Sequence, residues 1–507
     1  MGTPDRNRGG PKRTVVKPVR VLFLLPPLAF LAAFGARIWI QSFLYPAPTG
    51  DDPAFHALAI VETAQNPSCV VAHLWGSCKN PLVEATWQYP NMFHILFVPL
   101  YMYTHDPIIT IKILYIIMGI FIASIPVIMY IILTNTRKDI SEMALISAWY
   151  TTASFFIYNN AVYTYAEGSI FELIGITMLP IILYFINRPV IAGALAGLAI
   201  NSYTATVLTV VFLAFIVFTR GKKYLLKFIL SYIFVSNIFL FKFLIFLFTT
   251  FLHEGSGIVT ARLAVADAVQ INYPHKMLAI AAISPTLALV AISAARSRDA
   301  MANYAGYALF LIVAATLWDR ALRYLPLYLY LIPMQYPLHD KKARRVFAVA
   351  TAGLAAFVLF NASFYSQLFQ PTQDLVRVGE GTIELYNAVA AKLAAKNATT
   401  AATICQLSSY LLPILQAHGI NAYCLLNPAV NVPQTDPLYN VTQALKEAIA
   451  RRDLTPLGPY MDVLILETPH KGNIYNPLQV KLYENLTQML QIQPKDGIYV
   501  VWIPKTT

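Results

Sequence analysis

Charge is what this chain has least of. Only 12% of its 507 residues are Asp, Glu, Lys or Arg, against 57% hydrophobic. Soluble domains carry about twice that charged share, so the composition excludes an ordinary water-soluble globule. It predicts an α-helical polytopic membrane protein, with repeated apolar runs long enough to cross a bilayer. Acidic residues are scarcer than basic ones, 25 against 37, for a net charge of +12. That surplus does not mark a nucleic-acid partner, because the positive residues fall in short clusters between apolar runs, as in loops facing the cytoplasm. Cysteine is scarce too, with four residues. Cys69 and Cys78 share one polar stretch and Cys405 and Cys424 another. Neither spacing resembles a zinc site. Disulfides and free buried thiols both fit each pair. The first apolar run lacks an A-x-A-like exit, so no cleavable signal peptide is expected.

Taken in order, residues 1–20 form a basic cytoplasmic tail rich in Arg, Lys, Gly and Pro. A membrane domain of about eleven spans is expected over 21–362, each run sized to the bilayer. The first spans run over 21–43, 107–134, 142–161 and 168–187, and the stretch 190–219 splits into two short ones. Five more cover 224–251, 277–294, 300–317, the segment before Lys341, and 346–362. Residues 44–90 make one outer loop and 252–276 a second, while 91–103 is too short to cross and lies in the interface. Nearly every cluster of positives then falls on one side, which sets the amino terminus in the cytoplasm of a multi-pass cell-membrane protein.

The segment 363–507 changes character. Apolar strand-like runs at 402–407, 422–426, 461–467 and 498–503 alternate with amphipathic stretches at 373–395, 408–418, 436–452 and 476–490. That alternation predicts a small extracytoplasmic α/β domain. It contains neither a Gly-rich phosphate loop nor a nucleophile elbow, so an accessory role is expected for it. The sequons Asn397-Ala398-Thr399, Asn440-Val441-Thr442 and Asn485-Leu486-Thr487 fall on the same side.

The chemistry gathers at Thr49-Gly50-Asp51-Asp52-Pro53-Ala54-Phe55-His56, answered by Tyr89-Pro90-Asn91-Met92-Phe93-His94. Two adjacent carboxylates at the mouth of a span are costly unless they face water, a ligand or a partner. Asp52 before Pro53 is also a good helix start, so capping alone is the competing reading. Capping would lower the Asp52 pKa and weaken it as a base, which keeps Asp51 as the alternative. His56 lies one helical turn from Asp52, on the same face. Asp51, Asp52 and His56 together could hold a divalent metal, although no cofactor is required and no fourth ligand stands out. His94 is a softer candidate for substrate binding. Arg320 and Arg323, three apart on the outer side, are placed to clamp a phosphate bidentately. Arg262, His275 and Lys276 extend that set, and Glu167 and Glu172 flank Gly168 as pocket lining. Lys242 stands alone in an apolar run. The chemistry that fits is glycosyl transfer from a polyprenyl-phosphate-linked donor. One carboxylate removes the acceptor's proton and cations stabilise the departing phosphate. A single displacement of this kind inverts the sugar.

The arrangement resembles the GT-C superfamily of membrane glycosyltransferases that use polyprenyl- or dolichyl-phosphate-linked sugars. The likeness rests on Gly50-Asp51-Asp52-Pro53-Ala54-Phe55-His56, on Tyr89 to His94, on the Gly193-Ala194-Leu195-Ala196-Gly197 segment, and on Arg320 to Pro326. It implies Asp52 as an outer-facing base, membrane lipids around the site, and a glycan, protein or lipid acceptor. At the polar turn Asn201-Ser202-Tyr203 the chain departs from relatives that carry His or Lys. The acidic motif is also similar to that of archaeal oligosaccharyltransferases, whose Trp-Trp-Asp-Tyr-Gly signature is missing. Such an enzyme is the alternative within the class. Outside it stand a lipid or solute transporter and a non-catalytic scaffold.

Overall fold

A computed structural model describes most of residues 20–360 and 381–505. The longer stretches outside the description are 1–19, 70–77, 84–91, 167–177, 201–206, 237–285, 309–328, 361–380, 405–409, 429–437, 469–476 and 493–496, with scattered single positions.

The described part of residues 20–360 is a helical bundle. Helix α1 (Leu25–Phe43) packs against the long helix α4 (Pro107–Thr134) and against α5 (Ile140–Ala166). Phe30 sits edge-on to Phe155 with centroids 5.0 Å apart. A methyl at Gly119 would run into the side chain of Ile38, so the α1–α4 contact depends on that glycine. Helix α4 begins where the Asp106 carboxylate accepts from the amides of Ile108 (2.7 Å) and Ile109 (3.1 Å), with Pro107 at the first helical position. This is a regular N-cap. At 28 residues α4 is about 42 Å long.

Beyond its far end the chain ties a knot of ion pairs. Arg137 meets Glu142 at 3.0 Å and Arg344 meets Asp139 at 2.7 Å. Arg296 pairs with Asp340, and Arg20 donates to the Arg137 carbonyl. The single-turn helix α9 (Ile332–Gln335) leads into this knot. The last helix of the bundle, α10 (Lys341–Phe360), leaves it and returns along α5. There Trp149 packs on Phe347 and donates its indole N–H to the Leu329 carbonyl at 2.8 Å.

The expectation of about eleven membrane spans is overturned. Among the described residues only two helices, α4 and α10, are long and apolar enough to cross a membrane, and more than half of the most apolar window of α4 is buried inside the protein. Hydropathy misleads here because it counts apolar residues without asking what covers them. The two short spans expected over 190–219 are α7 (Pro189–Ile200) and α8 (Val207–Phe218), of 12 residues each. Each is about 18 Å long, against the roughly 30 Å of a hydrocarbon core. Within 168–187 the described helix is α6 (Leu179–Tyr184), of six residues. Helices this short and this apolar bury themselves against other helices. Gly193 and Gly197 of α7 face the backbone of the helical run 222–236, where a Cβ at Gly197 would stand 2.8 Å from the Tyr232 carbonyl oxygen. Small residues four apart permit this backbone approach.

The carboxy-terminal part carries a four-stranded sheet in the order β2-β1-β3-β4. Strands β1 (Thr400–Ile404), β2 (Asn421–Leu425) and β3 (Val463–Glu467) are parallel, and β4 (Ile498–Trp502) runs antiparallel to β3. Each of the four apolar runs in the sequence carries one strand. The crossover between β1 and β2 holds helix α12 (Leu411–Ala417). Asp462, just before β3, accepts from both the amide and the hydroxyl of Thr399 and meets Lys505 at 2.8 Å, pinning the start of β1 to the end of the chain.

Candidate functional site

Helix α2 starts at Asp52 and runs to Gln65, with Pro53 as its second residue. Every residue from Pro53 to Thr63 is buried, although the sequence is only mildly apolar. A helix covered on all sides is a central one, and three neighbours surround it: α3 (Met92–Thr104), α4 and α12.

The first face meets α3. His56 Nδ1 and His94 Nε2 lie 3.0 Å apart, one donating and the other accepting according to tautomer. Their rings are 5.2 Å apart between centroids, and Phe55 presents its edge to His94. Both histidines are essentially inaccessible, at 0% and 1% exposure. Burial holds His94 down to about 3, and burial together with the neighbouring His94 holds His56 well below the usual imidazole value. At neutral pH the pair is therefore uncharged. It joins the two motifs Asp51–His56 and Tyr89–His94, which are separated by about forty residues of sequence.

The second face meets the carboxy-terminal domain through side chains that sequence reasoning did not single out. The buried Glu62 carboxylate accepts from Gln416 Nε2 at 2.9 Å, from the Asn80 amide at 3.2 Å and from Asn66 Nδ2 at 3.4 Å. Gln416 Oε1 in turn accepts from Asn80 Nδ2 (3.2 Å) and the Ala422 amide (3.2 Å). Asn80 Nδ2 also donates to the Ala422 carbonyl on β2. Tyr410 donates to the Pro48 carbonyl at 2.8 Å, just upstream of the acidic motif. The signal available in advance was a lone glutamate on a helix of small and apolar residues. Its partners come from a distant domain, and no local spacing announces them.

A disulfide joins Cys69 and Cys78, and Cys424 on β2 is also disulfide-bonded. The first bridge closes the loop that delivers Asn80 to Gln416.

Of the other residues expected at the site, Asp52 heads α2, with its side chain outside the description. Asp51, Glu167, Arg262, Arg320 and Arg323 lie outside the described residues altogether, as do Glu172, Lys242, His275 and Lys276. Among the described residues no three His, Cys, Asp or Glu side chains gather as a metal site. The chain matches no protein-family model and no curated protein sequence.

Proposed function

We propose that the chain transfers a sugar from a polyprenyl-phosphate-linked donor to an acceptor at the extracytoplasmic face of a membrane, with inversion. Asp52 is the general base and Asp51 its alternative. The observation that carries this reading is the meeting of the two outer motifs at His56 and His94, which gives the head of α2 a fixed position. Lipid-linked donors hold their phosphate at headgroup depth. The reaction therefore needs a carboxylate at the membrane rim and does not depend on a particular number of crossings.

In the proposed reaction the carboxylate takes the proton from the acceptor hydroxyl as its oxygen attacks the anomeric carbon. The bond from that carbon to the phosphate oxygen breaks, and the lipid phosphate leaves with the electron pair. Arg320, Arg323 and Arg262 are the cations assigned to that phosphate. Neutral and buried, His56 and His94 serve this chemistry by positioning. They fix α2 against α3 and so fix where Asp52 stands. No metal is required for the step as written.

The test is incorporation of labelled sugar from a polyprenyl-phosphate-hexose by the full chain in lipid vesicles. Asp52→Asn should lower turnover by 100-fold or more, within the range of a lost general base. If only Asp51→Asn does so, the base is Asp51. Turnover indifferent to both substitutions sinks the proposal, and transfer of an intact oligosaccharide to an Asn acceptor would reassign the chain to the oligosaccharyltransferase alternative.

A further inference from the structure

We propose that Asn397 is an N-glycan attachment site, and that of the three sequons in the carboxy-terminal domain it alone is used. The proposal does not rest on the transferase reading. It stands on two features: how each sequon is presented, and which compartment the domain faces.

An acceptor asparagine and its hydroxyl partner must reach the modifying enzyme together, which suits a surface turn and not a formed helix. Asn397 meets that condition. It follows the helix α11 (Thr382–Ala395) in a left-handed conformation, φ 58°, and turns the chain toward β1. Both Asn397 and Thr399 are exposed. The Asn397 side-chain amide makes no hydrogen bond among the described residues. The Thr399 hydroxyl also has a partner, Asp462 at 2.8 Å, but Thr399 is exposed and outside any helix, so that contact can be exchanged without unwinding one. The other two sequons are helical. Asn440 is the second residue of the helix α13 (Tyr439–Arg451), and Thr442 is buried with its hydroxyl donated to the Leu438 carbonyl. Asn485 lies inside the helix α14 (Pro477–Met489), and Thr487 is buried with its hydroxyl on the Tyr483 carbonyl. Asn440 is itself exposed and Asn485 half-buried, but in both sequons the hydroxyl partner is buried against the helix backbone, so asparagine and hydroxyl are presented together only if the helix unwinds locally. A fourth sequon, Asn361-Ala362-Ser363, lies outside the described residues.

The compartment follows from the cysteines. The Cys69–Cys78 bridge and the bridged Cys424 lie on either side of the Asn80–Gln416 contact, so loop and domain occupy one side. Disulfides persist in oxidising compartments, where N-linked glycans are also added. The Arg137–Glu142–Arg344 knot lies beyond the opposite end of α4, and such arginine-rich ends favour the cytoplasm.

The co-reactant is a lipid-linked oligosaccharide of the diphosphate class. A bond forms between Asn397 Nδ2 and the anomeric carbon, while the bond from that carbon to the phosphate oxygen breaks. The lipid diphosphate leaves with the electron pair, and the amide proton passes to a base of the modifying enzyme.

Glycopeptide mapping by mass spectrometry of the full chain from its own cells tests the assignment. A glycan is expected on Asn397 and on neither Asn440 nor Asn485. Asn397→Gln should abolish the modification, whereas Thr399→Ser should keep it, since serine preserves both the sequon and the bond to Asp462. The same peptide map shows that each variant is the full chain, and retained thermal unfolding shows that it is folded. An unmodified Asn397 in the folded chain overturns the proposal, and so does a glycan on Asn440 or Asn485.

Discussion

Gln416 donates from Nε2 to Glu62 Oε2 at 2.9 Å across 354 residues of sequence. The contact ties the helix that begins at Asp52 to the crossover helix of the carboxy-terminal sheet. A carboxylate buried to 1% exposure is tolerable only while its oxygens are occupied, and here the occupants are amides from α12, from Asn66 and from Asn80. The domain therefore supplies part of what keeps α2 folded in place.

Replacing Gln416 with Met should destabilise the chain by about 1.5–3 kcal/mol, the range for a lost hydrogen bond to a charged group. Glu62→Met should cost a similar amount, since it strands three donors. The double variant should cost less than the sum, because removing both partners leaves neither stranded on the other. Thermal unfolding of the four proteins under one set of conditions gives the cycle. Strict additivity would mean that Glu62 and Gln416 do not depend on one another.

The Cys69–Cys78 bridge acts on the same contact from the other side. It spans nine residues, and closing a loop of that size removes about 2–3 kcal/mol of unfolded-chain entropy. Cys69→Ser with Cys78→Ser should lower stability by about that amount. It should also speed amide exchange at Asn80, whose backbone N–H sits on Glu62. Exchange unchanged at Asn80 while stability falls would separate the bridge from the network.

The histidine pair makes stability depend on pH in a stated direction. Both imidazoles titrate below their unfolded value near 6.5, His94 at about 3. Above pH 6.5 neither state holds the extra protons, and the pair adds no pH dependence. As the pH falls below that, the unfolded chain takes up protons that the folded chain refuses. Stability is then lost progressively toward pH 3, by about 1.4 kcal/mol per pH unit for each histidine within its window. Denaturation midpoints from pH 8 to 4 should fall only on the acid side. His94→Phe should flatten that slope. A slope left intact in the variant would place the acid sensitivity elsewhere.

What could be read in advance depended on how far apart the partners lie. The acidic motif ending at His56 and the Tyr89–His94 run were both legible as short motifs, and the contact between the two histidines joins them. The strands of the sheet were visible because each is a five-residue apolar run between turn signals. Glu62 was not, since its meaning comes from Gln416 and Asn80, and neither carries a local signature. The number of spans failed for a different reason. Pro189–Ile200 is as apolar as a membrane helix, but its apolar surface is used against the run 222–236, and hydropathy does not distinguish a helix neighbour from a lipid.

That helix pair yields the last prediction. Gly193 and Gly197 sit where the carbonyls of Phe228 and Tyr232 come closest, and a Cβ at either would press on backbone, which cannot swing aside as a side chain can. Gly197→Ala must therefore push the two helices apart by a few tenths of an ångström or more. The cost is about 1–3 kcal/mol, as for other overpacked contacts. Gly353, on α10, has nothing within 4 Å of the same position, so Gly353→Ala should be neutral or slightly stabilising through helix propensity. Comparing the two in one unfolding experiment cancels the intrinsic preference of alanine for helix. If Gly197→Ala proves as harmless as Gly353→Ala, α7 does not pack by backbone approach. Its apolar surface must then be covered by something other than the run 222–236.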